Sequence, residues 1–176
     1  MREIYIVLGF FLFISYLEPD HYPVKWVRGN KRMSDKSTLP QPHQAIQTVI
    51  RFFRHLDENN YQALAALLHP QGVWHRQGAE LRGEEEVISA LAKRSPTRRI
   101  VHLLTNLVGD MLEDGVAGVT GYMLVVKHEA GAELTGPAPL EGIESIRIIR
   151  ARVRDTEHGW RVERMASDPP LFTKTS

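Results

Sequence analysis

Residues 52–91 read FFRHLDENNYQALAALLHPQGVWHRQGAELRGEEEVISAL. Within this stretch a helical period gives way to a short strand and then returns. Just upstream, Ile46, Val49, Ile50, Phe53 and Leu56 recur at helical spacing, with Arg51, Arg54 and His55 between them, and Pro42 suits a first turn. The spacing predicts an amphipathic helix of about four turns. Asn59-Asn60 breaks it and caps a second helix, whose buried face is Tyr61, Leu64, Ala65 and Leu68. His69-Pro70 ends that helix. Gly72 opens a strand over residues 73–77, Gly78 turns, and residues 80–82 pair back as a hairpin. Glu84-Glu85-Glu86 then starts a third helix. Three carboxylates there match the positive end of the helix dipole, which explains them better than a metal site does.

Beyond Pro96 the period changes. Residues 99–111 are strand-like and apolar on both faces, Glu113-Asp114-Gly115 is a turn, and residues 116–128 form a long strand. A Gly/Pro/Ala-rich loop covers 129–142. Two more strands follow, over 144–155 and 160–166. Three helices, then three or four long antiparallel strands, predict an α+β fold: helices packed on a strongly curved, mainly antiparallel sheet. Such a cone leaves a concavity suited to a small molecule.

The 176 residues carry 22 Lys and Arg against 21 Asp and Glu, a formal net charge of +1, which argues against a dedicated nucleic-acid partner. The chain has no cysteine, so disulfides, thiolate metal sites and a Cys nucleophile are excluded. The domain is placed at 40–172, with a tail at 173–176. Residues 1–39 form a hydrophobic, then polar, extension. Residues 4–17 (IYIVLGFFLFISYL) carry no charge but fall short of a membrane span, and their flanks fit a cleavable signal poorly. Met33 opens a polar run that looks like a natural start. The expectation is a cytoplasmic protein beginning there; the alternative is export or membrane association through residues 4–17.

The order of elements, with the words quoted above, RRIVHLLTN at 98–106 and HGWRVERM at 158–165, resembles the nuclear transport factor 2-like superfamily and its SnoaL-like branch. The resemblance covers residues 43–170. It implies a cone-shaped α+β roll, chemistry inside the cone, and a homodimer through the outer sheet face. Members include dehydratases, isomerases and plain binding pockets, so the fold does not choose among activities. Scytalone-type dehydratases place a Tyr/Asp pair at the end of the first helix, an aromatic on a strand and two histidines on the sheet. By position Asp57 takes the Asp, while Leu56 replaces the Tyr. His75 falls near the strand aromatic, His102 on the first sheet histidine and His128 near the second. The Ser/Asn pair of the next strand has no counterpart in IESIRIIRARV.

His102 is the most informative residue. Strict alternation puts Ile100, His102, Leu104, Asn106 and Val108 on one face. A histidine on an apolar wall can move a proton near neutral pH, and Asp57 can orient it. The competing reading is a core histidine bonded to a backbone carbonyl. Asn106 and His75 are taken as ligand contacts, with His75 rather than its neighbour Trp74 facing the cavity. Tyr61, Trp74, Tyr122 and His128 are candidate pocket residues, though core packing is the first expectation for the aromatics. No metal is expected from His69, His75, His102 and His128, which lack helical ligand spacing, and no cofactor is expected. Arg150, Arg152 and Arg154 share a strand face, suited to solvent or an interface rim; Arg147 precedes them. The expected function is metal-independent acid–base chemistry, dehydration or isomerisation of a small cyclic or hydroxylated organic molecule. The alternative is a non-catalytic module that binds a ligand or a protein.

Overall fold

Apolar residues at every third or fourth position wind Gln41–Asp57 into the first helix, α1. The structure is a computed structural model and describes residues 41–175; the expectations for the 1–39 extension, its 4–17 segment and the Met33 start lie outside those residues. The buried stripe of α1 is Ala45, Thr48, Val49, Phe52, Phe53 and Leu56, so Phe52 turns fully inward where the sequence reading placed Ile50. Asn59 ends the helix in the left-handed region at φ 56°. The Asn60 amide donates to the His55 carbonyl at 2.9 Å and the Asn59 amide to that of Leu56 at 3.4 Å, satisfying carbonyls a helix end leaves open. Asn60 then starts α2 (Tyr61–Ala65), its side chain accepting from the Ala63 amide at 3.3 Å.

Helix α2 stops three residues before the expected Leu68. The Val162 amide takes the Leu67 carbonyl at 2.8 Å, and Pro70 disfavours helix at His69, so the sheet captures the chain as β1 (Leu68–Arg76). Gln77 at φ 52° and Gly78 at φ 82° make the two-residue turn into β2 (Ala79–Arg82). Helix α3 (Gly83–Leu91) follows with its Glu84–Glu86 first turn. Glu86 reaches back to accept from the Arg82 amide at 2.8 Å, so one of the three carboxylates caps the helix.

Four long strands complete the fold: β3 (Arg98–Glu113), β4 (Val116–Glu129), β5 (Ser145–Arg154) and β6 (Arg161–Ser167). The sheet order is β2-β1-β6-β5-β4-β3, antiparallel throughout except for the parallel pair β1/β6. A short β7 (Phe172–Thr173), which the sequence reading missed, pairs with the start of β5 where β6 has ended. The sheet is curled and unclosed, the α+β roll expected. Helix α1 lies across β3 and β4 and reaches β5 and β6, while α3 packs on β1 and β2. Between them sit Phe52, Leu64, Leu91, Ile149 and Met165, all essentially inaccessible. Phe52 meets Trp74 edge-on at 5.0 Å between ring centroids. Each such side chain contributes roughly 1.5–3 kcal/mol by leaving water.

One irregularity bears on the site. Thr105 pairs with Tyr122 and Val108 with Thr120, so two residues of β3, Asn106 and Leu107, stand opposite Gly121 alone. This is a bulge, with Asn106 at φ 52°. Gly121 is needed there: a Cβ would stand 2.7 Å from Leu107 Cδ2 and 3.0 Å from the Thr105 carbonyl oxygen. The extra residue reverses the alternation. Ile100, His102 and Leu104 face inward, then Leu107 does; Asn106 and Val108 are exposed.

Candidate active site

Asp57 is the last residue of α1, and the packing of Phe53 and Leu56 aims it at the middle of β3. One carboxylate oxygen accepts the backbone N–H of His102 at 2.7 Å, and the other lies 2.5 Å from His102 Nδ1. The same carboxylate thus holds both the strand and the ring. Both side chains are mostly buried, 10% exposed for His102 and 16% for Asp57, so water competes weakly for the pair. The ring of Phe53 rests against the imidazole at 5.3 Å between centroids. An ionised carboxylate can only accept, so it draws a proton to the bonded Nδ1, and in the neutral ring Nε2 is then the basic nitrogen. Among the described residues the one sealed side-chain polar atom without a hydrogen bond is Nδ1 of His55. His102 lines a cavity, and its Nε2 has no hydrogen-bond partner among the described residues.

That cavity has a volume of about 320 Å³ and runs between α1 and the inner sheet face. Its apolar walls are Phe53, Leu56, Trp74, Ile100, Met123, Val125 and Met165. The rim is cationic: Arg76, Arg94, Arg98, Lys127 and Arg147 line it, against the single carboxylate of Glu144. Three of the five cations are engaged. Arg94 donates to the Leu56 carbonyl at 2.8 Å, Arg98 to Glu129 at 2.9 Å and Lys127 to Glu144 at 2.6 Å. Arg76 lies over the Trp74 ring at 5.6 Å. Neither Arg76 nor Arg147 meets a carboxylate among the described residues. Burial pushes the Arg76 guanidinium below its ordinary value, and the nearby charges of Arg94 and Arg98 push the same way. Hydrogen bonds from Thr97 and Ser95, with Arg98 adding to them, hold the Glu129 carboxyl down at about 2.

The structure brings His102 and Trp74 to one cavity, with Asp57 bonded to the imidazole, and sends the other candidates elsewhere. His75 is on the opposite face of β1 from Trp74, 3.5 Å from Glu80, so the expected orientation of that pair is reversed. The reason is packing: Trp74 fills the core against Phe52, and alternation then turns its neighbour out. Asn106 leaves the inner wall through the bulge, where its side chain accepts from Thr105 Oγ1 at 3.4 Å. Tyr122 is 40% exposed on the outer face. His128 is on that face too, with Nδ1 2.7 Å from Glu141. Tyr61 bonds Asn59 through its hydroxyl at 2.8 Å, and its ring lies under Arg94 rather than in the cavity wall. The sequence reading missed Arg76, Arg94, Arg98 and Lys127. Arg147 it set apart from Arg150, Arg152 and Arg154 without giving it a role, although its odd spacing from them was the signal that it faces inward. Among the described residues no three of His, Cys, Asp and Glu gather as a metal-ligating group. No helix of the described residues is long and apolar enough to cross a membrane.

A family model described as the SnoaL-like domain matches residues 38–166. No curated protein matches the chain in sequence. Among solved structures, a provisionally assigned scytalone dehydratase from Novosphingobium aromaticivorans is similar at TM-score 0.57 and 19% identity, covering 76% of this chain and 89% of that one. A further Novosphingobium aromaticivorans protein, described as NTF2-like with a cystatin-like fold, is similar at TM-score 0.57 and 18% identity, over 72% and 80% of the two chains. A Catenulispora acidiphila protein in complex with S-DNPA is similar at TM-score 0.55 and 21% identity, over 71% and 90%. At these identities the likeness shows the fold.

Proposed function

The chain belongs to the SnoaL-like domain family, and we propose that its cavity is an active site in which His102 moves a proton on a small cyclic or hydroxylated organic molecule. The observation that carries this is the pairing of a carboxylate with Nδ1 of an imidazole that lines a cavity with apolar walls. In a dehydration, Nε2 takes the proton from a carbon beside a carbonyl. The C–H electron pair becomes the new C=C bond, and the C–O bond breaks. The imidazolium then returns its proton to the departing oxygen, which leaves as water. Asp57 fixes the ring and stabilises its charged form without itself taking the proton. An isomerisation uses the same first step and returns the proton to a different carbon. A neighbour of the same fold solved with a small molecule supports the use of such a cone for binding.

Screening cyclic β-hydroxy ketones for loss of water tests this. Turnover by the native protein should fall by roughly 10²–10⁴ in His102→Gln, the range a positioned acid–base group supplies, with ligand affinity retained. A second reading, a pocket without turnover, draws on the departure of His75, Asn106 and His128 from the cavity, which removes the polar contacts expected beside His102. A ligand bound equally by both proteins and converted by neither supports it.

We also propose a homodimer through the outer sheet face. Cross-strand pairs Val101–Val126 and Leu103–Leu124 form an apolar stripe there, with Val101 48% and Leu103 50% exposed. Light scattering should give twice the chain mass for the native protein and a monomer for Leu103→Glu; a monomeric native protein contradicts the proposal.

A further inference from the structure

We infer that the molecule this cavity takes is an organic anion, its oxyanion held by the guanidinium groups of Arg76 and Arg147 while its body lies against the apolar walls. The inference deepens the small-molecule reading above and rests on it, but it does not depend on turnover.

Three observations converge. First, the rim carries five cations and one carboxylate in a chain whose net charge is only +1. The positive charge is concentrated along one cavity, a field that draws in anions. Second, protein groups already engage three of these cations, and Arg76 and Arg147 remain without a carboxylate among the described residues. Third, Arg76 is half-buried, its guanidinium over the Trp74 ring at 5.6 Å and beside Arg94 and Arg98. A partly desolvated guanidinium among like charges is a costly arrangement unless an anion completes it. The N–H fork of a guanidinium takes a carboxylate or phosphate through two parallel bonds, and no carboxylate among the described residues fills that of Arg76.

The same wall shows why the ligand is organic. Phe53, Trp74, Ile100, Met123, Val125 and Met165 offer an inorganic ion nothing but give an aromatic or alicyclic body a dry surface. His102 lines that same space, so an anion anchored at the arginines has its body beside Nε2. A second cleft shares Arg76, Gln77, Arg94 and Arg98 with the cavity and continues past Lys93, which extends the cationic path outward.

Calorimetric titration with three probes of one shape tests the inference: 2-naphthoate, 2-naphthyl phosphate and the neutral 2-naphthalenemethanol. At least one anion should bind tenfold or more tightly than the alcohol, as charge-assisted bonds require; which anion it is separates a carboxylate ligand from a phosphate one. Arg76→Gln and Arg147→Gln should each weaken that anion about tenfold and leave the alcohol unchanged. Arg150→Gln, on the outer face, should change neither. If Arg76→Gln fails to fold, Arg76→Lys, which keeps the charge and loses the fork, and Arg147→Gln carry the test. Equal affinity for all three probes, no anion binding at millimolar concentration, or full anion affinity in the arginine variants would overturn the inference. His102→Gln should still bind the anion, so a protein that binds anions but turns nothing over refutes the catalytic reading and leaves this one standing.

Discussion

The two faces of the sheet use the same residue types to opposite ends. On the outer face His75 is 3.5 Å from Glu80 and His128 is 2.7 Å from Glu141, and both carboxylates are half in water. On the inner face His102 meets Asp57 at 2.5 Å, and both partners are mostly buried. The arginines divide in the same way. Outside, Arg150 pairs with Asp168 at 2.9 Å, while Arg152 and Arg154 share Glu163 and Glu113. Inside, Arg76 and Arg147 face a cavity without a carboxylate partner among the described residues. Paired charges in water contribute little and are screened by salt. The same groups beside a low-dielectric void act strongly on whatever enters it. Position relative to the sheet, more than residue type, separates the histidine proposed to move a proton from those paired in water.

The sharpest break in this comparison is expected from Asp57→Asn. An amide can hold the His102 backbone N–H with its oxygen and turn its NH₂ to Nδ1, so the ring proton moves to Nε2 and the base is lost. Turnover should drop by roughly 10³–10⁴, as it does when an orienting carboxylate is neutralised elsewhere. His75→Gln and His128→Gln should keep native rates. Initial rates on one converted hydroxy ketone decide it, and a loss in the outer variants comparable to that in Asp57→Asn breaks the contrast.

Next in size is the packing difference between Ile149, fully buried on the inner face, and its outward neighbour Ile148. Ile149→Ala should cost about 2–5 kcal/mol, and Ile148→Ala well under half of that. Urea unfolding of the two variants measures both, and equal losses would show that the outer face is covered.

A smaller effect is expected at the bulge. Asn106 sits in the left-handed region, which β-branched residues resist, so Asn106→Val should lose about 1–2 kcal/mol. Asn106→Gly should lose none. Neither should alter ligand affinity, because the side chain points away from the cavity. A binding defect in Asn106→Gly would return this residue to the site.

The smallest effect belongs to Glu129, held at about 2 against an ordinary 4.5 by Thr97 and Ser95, with Arg98. A carboxyl depressed in the folded state adds stability that is fully present above its unfolded value and fades as pH falls through the folded one. Native protein should therefore lose a stability increment between about pH 4.5 and pH 2 that Glu129→Gln lacks. Melting temperatures across that window check it; parallel curves for the two proteins contradict it.

Much of this was legible in the chain. The helical period of residues 46–56, the Asn59-Asn60 break and the turns at Gly78 and Gly115 place the elements to within a few residues, because local spacing and turn chemistry are local facts. Asp57 and His102 were legible as a pair only through the family resemblance, since they meet across 45 positions. The alternation along β3 failed at Asn106, because a bulge inserts one residue and nothing in LLTNLVG announces it except an Asn able to adopt positive φ. The choice between Trp74 and His75 failed because chemistry was weighed above volume, whereas the core took the larger apolar ring. The cationic rim was missed for a different reason. Its members come from β1, β3, β4, β5 and the end of α3, and only the curl of the sheet gathers them.

The measurement closest to the central claim is ¹⁵N NMR of the His102 imidazole, assigned against His102→Gln. The account predicts a proton fixed on Nδ1 and a bare Nε2, with Asp57→Asn reversing the two. A native ring protonated on Nε2 alone, indifferent to Asp57→Asn, would contradict it.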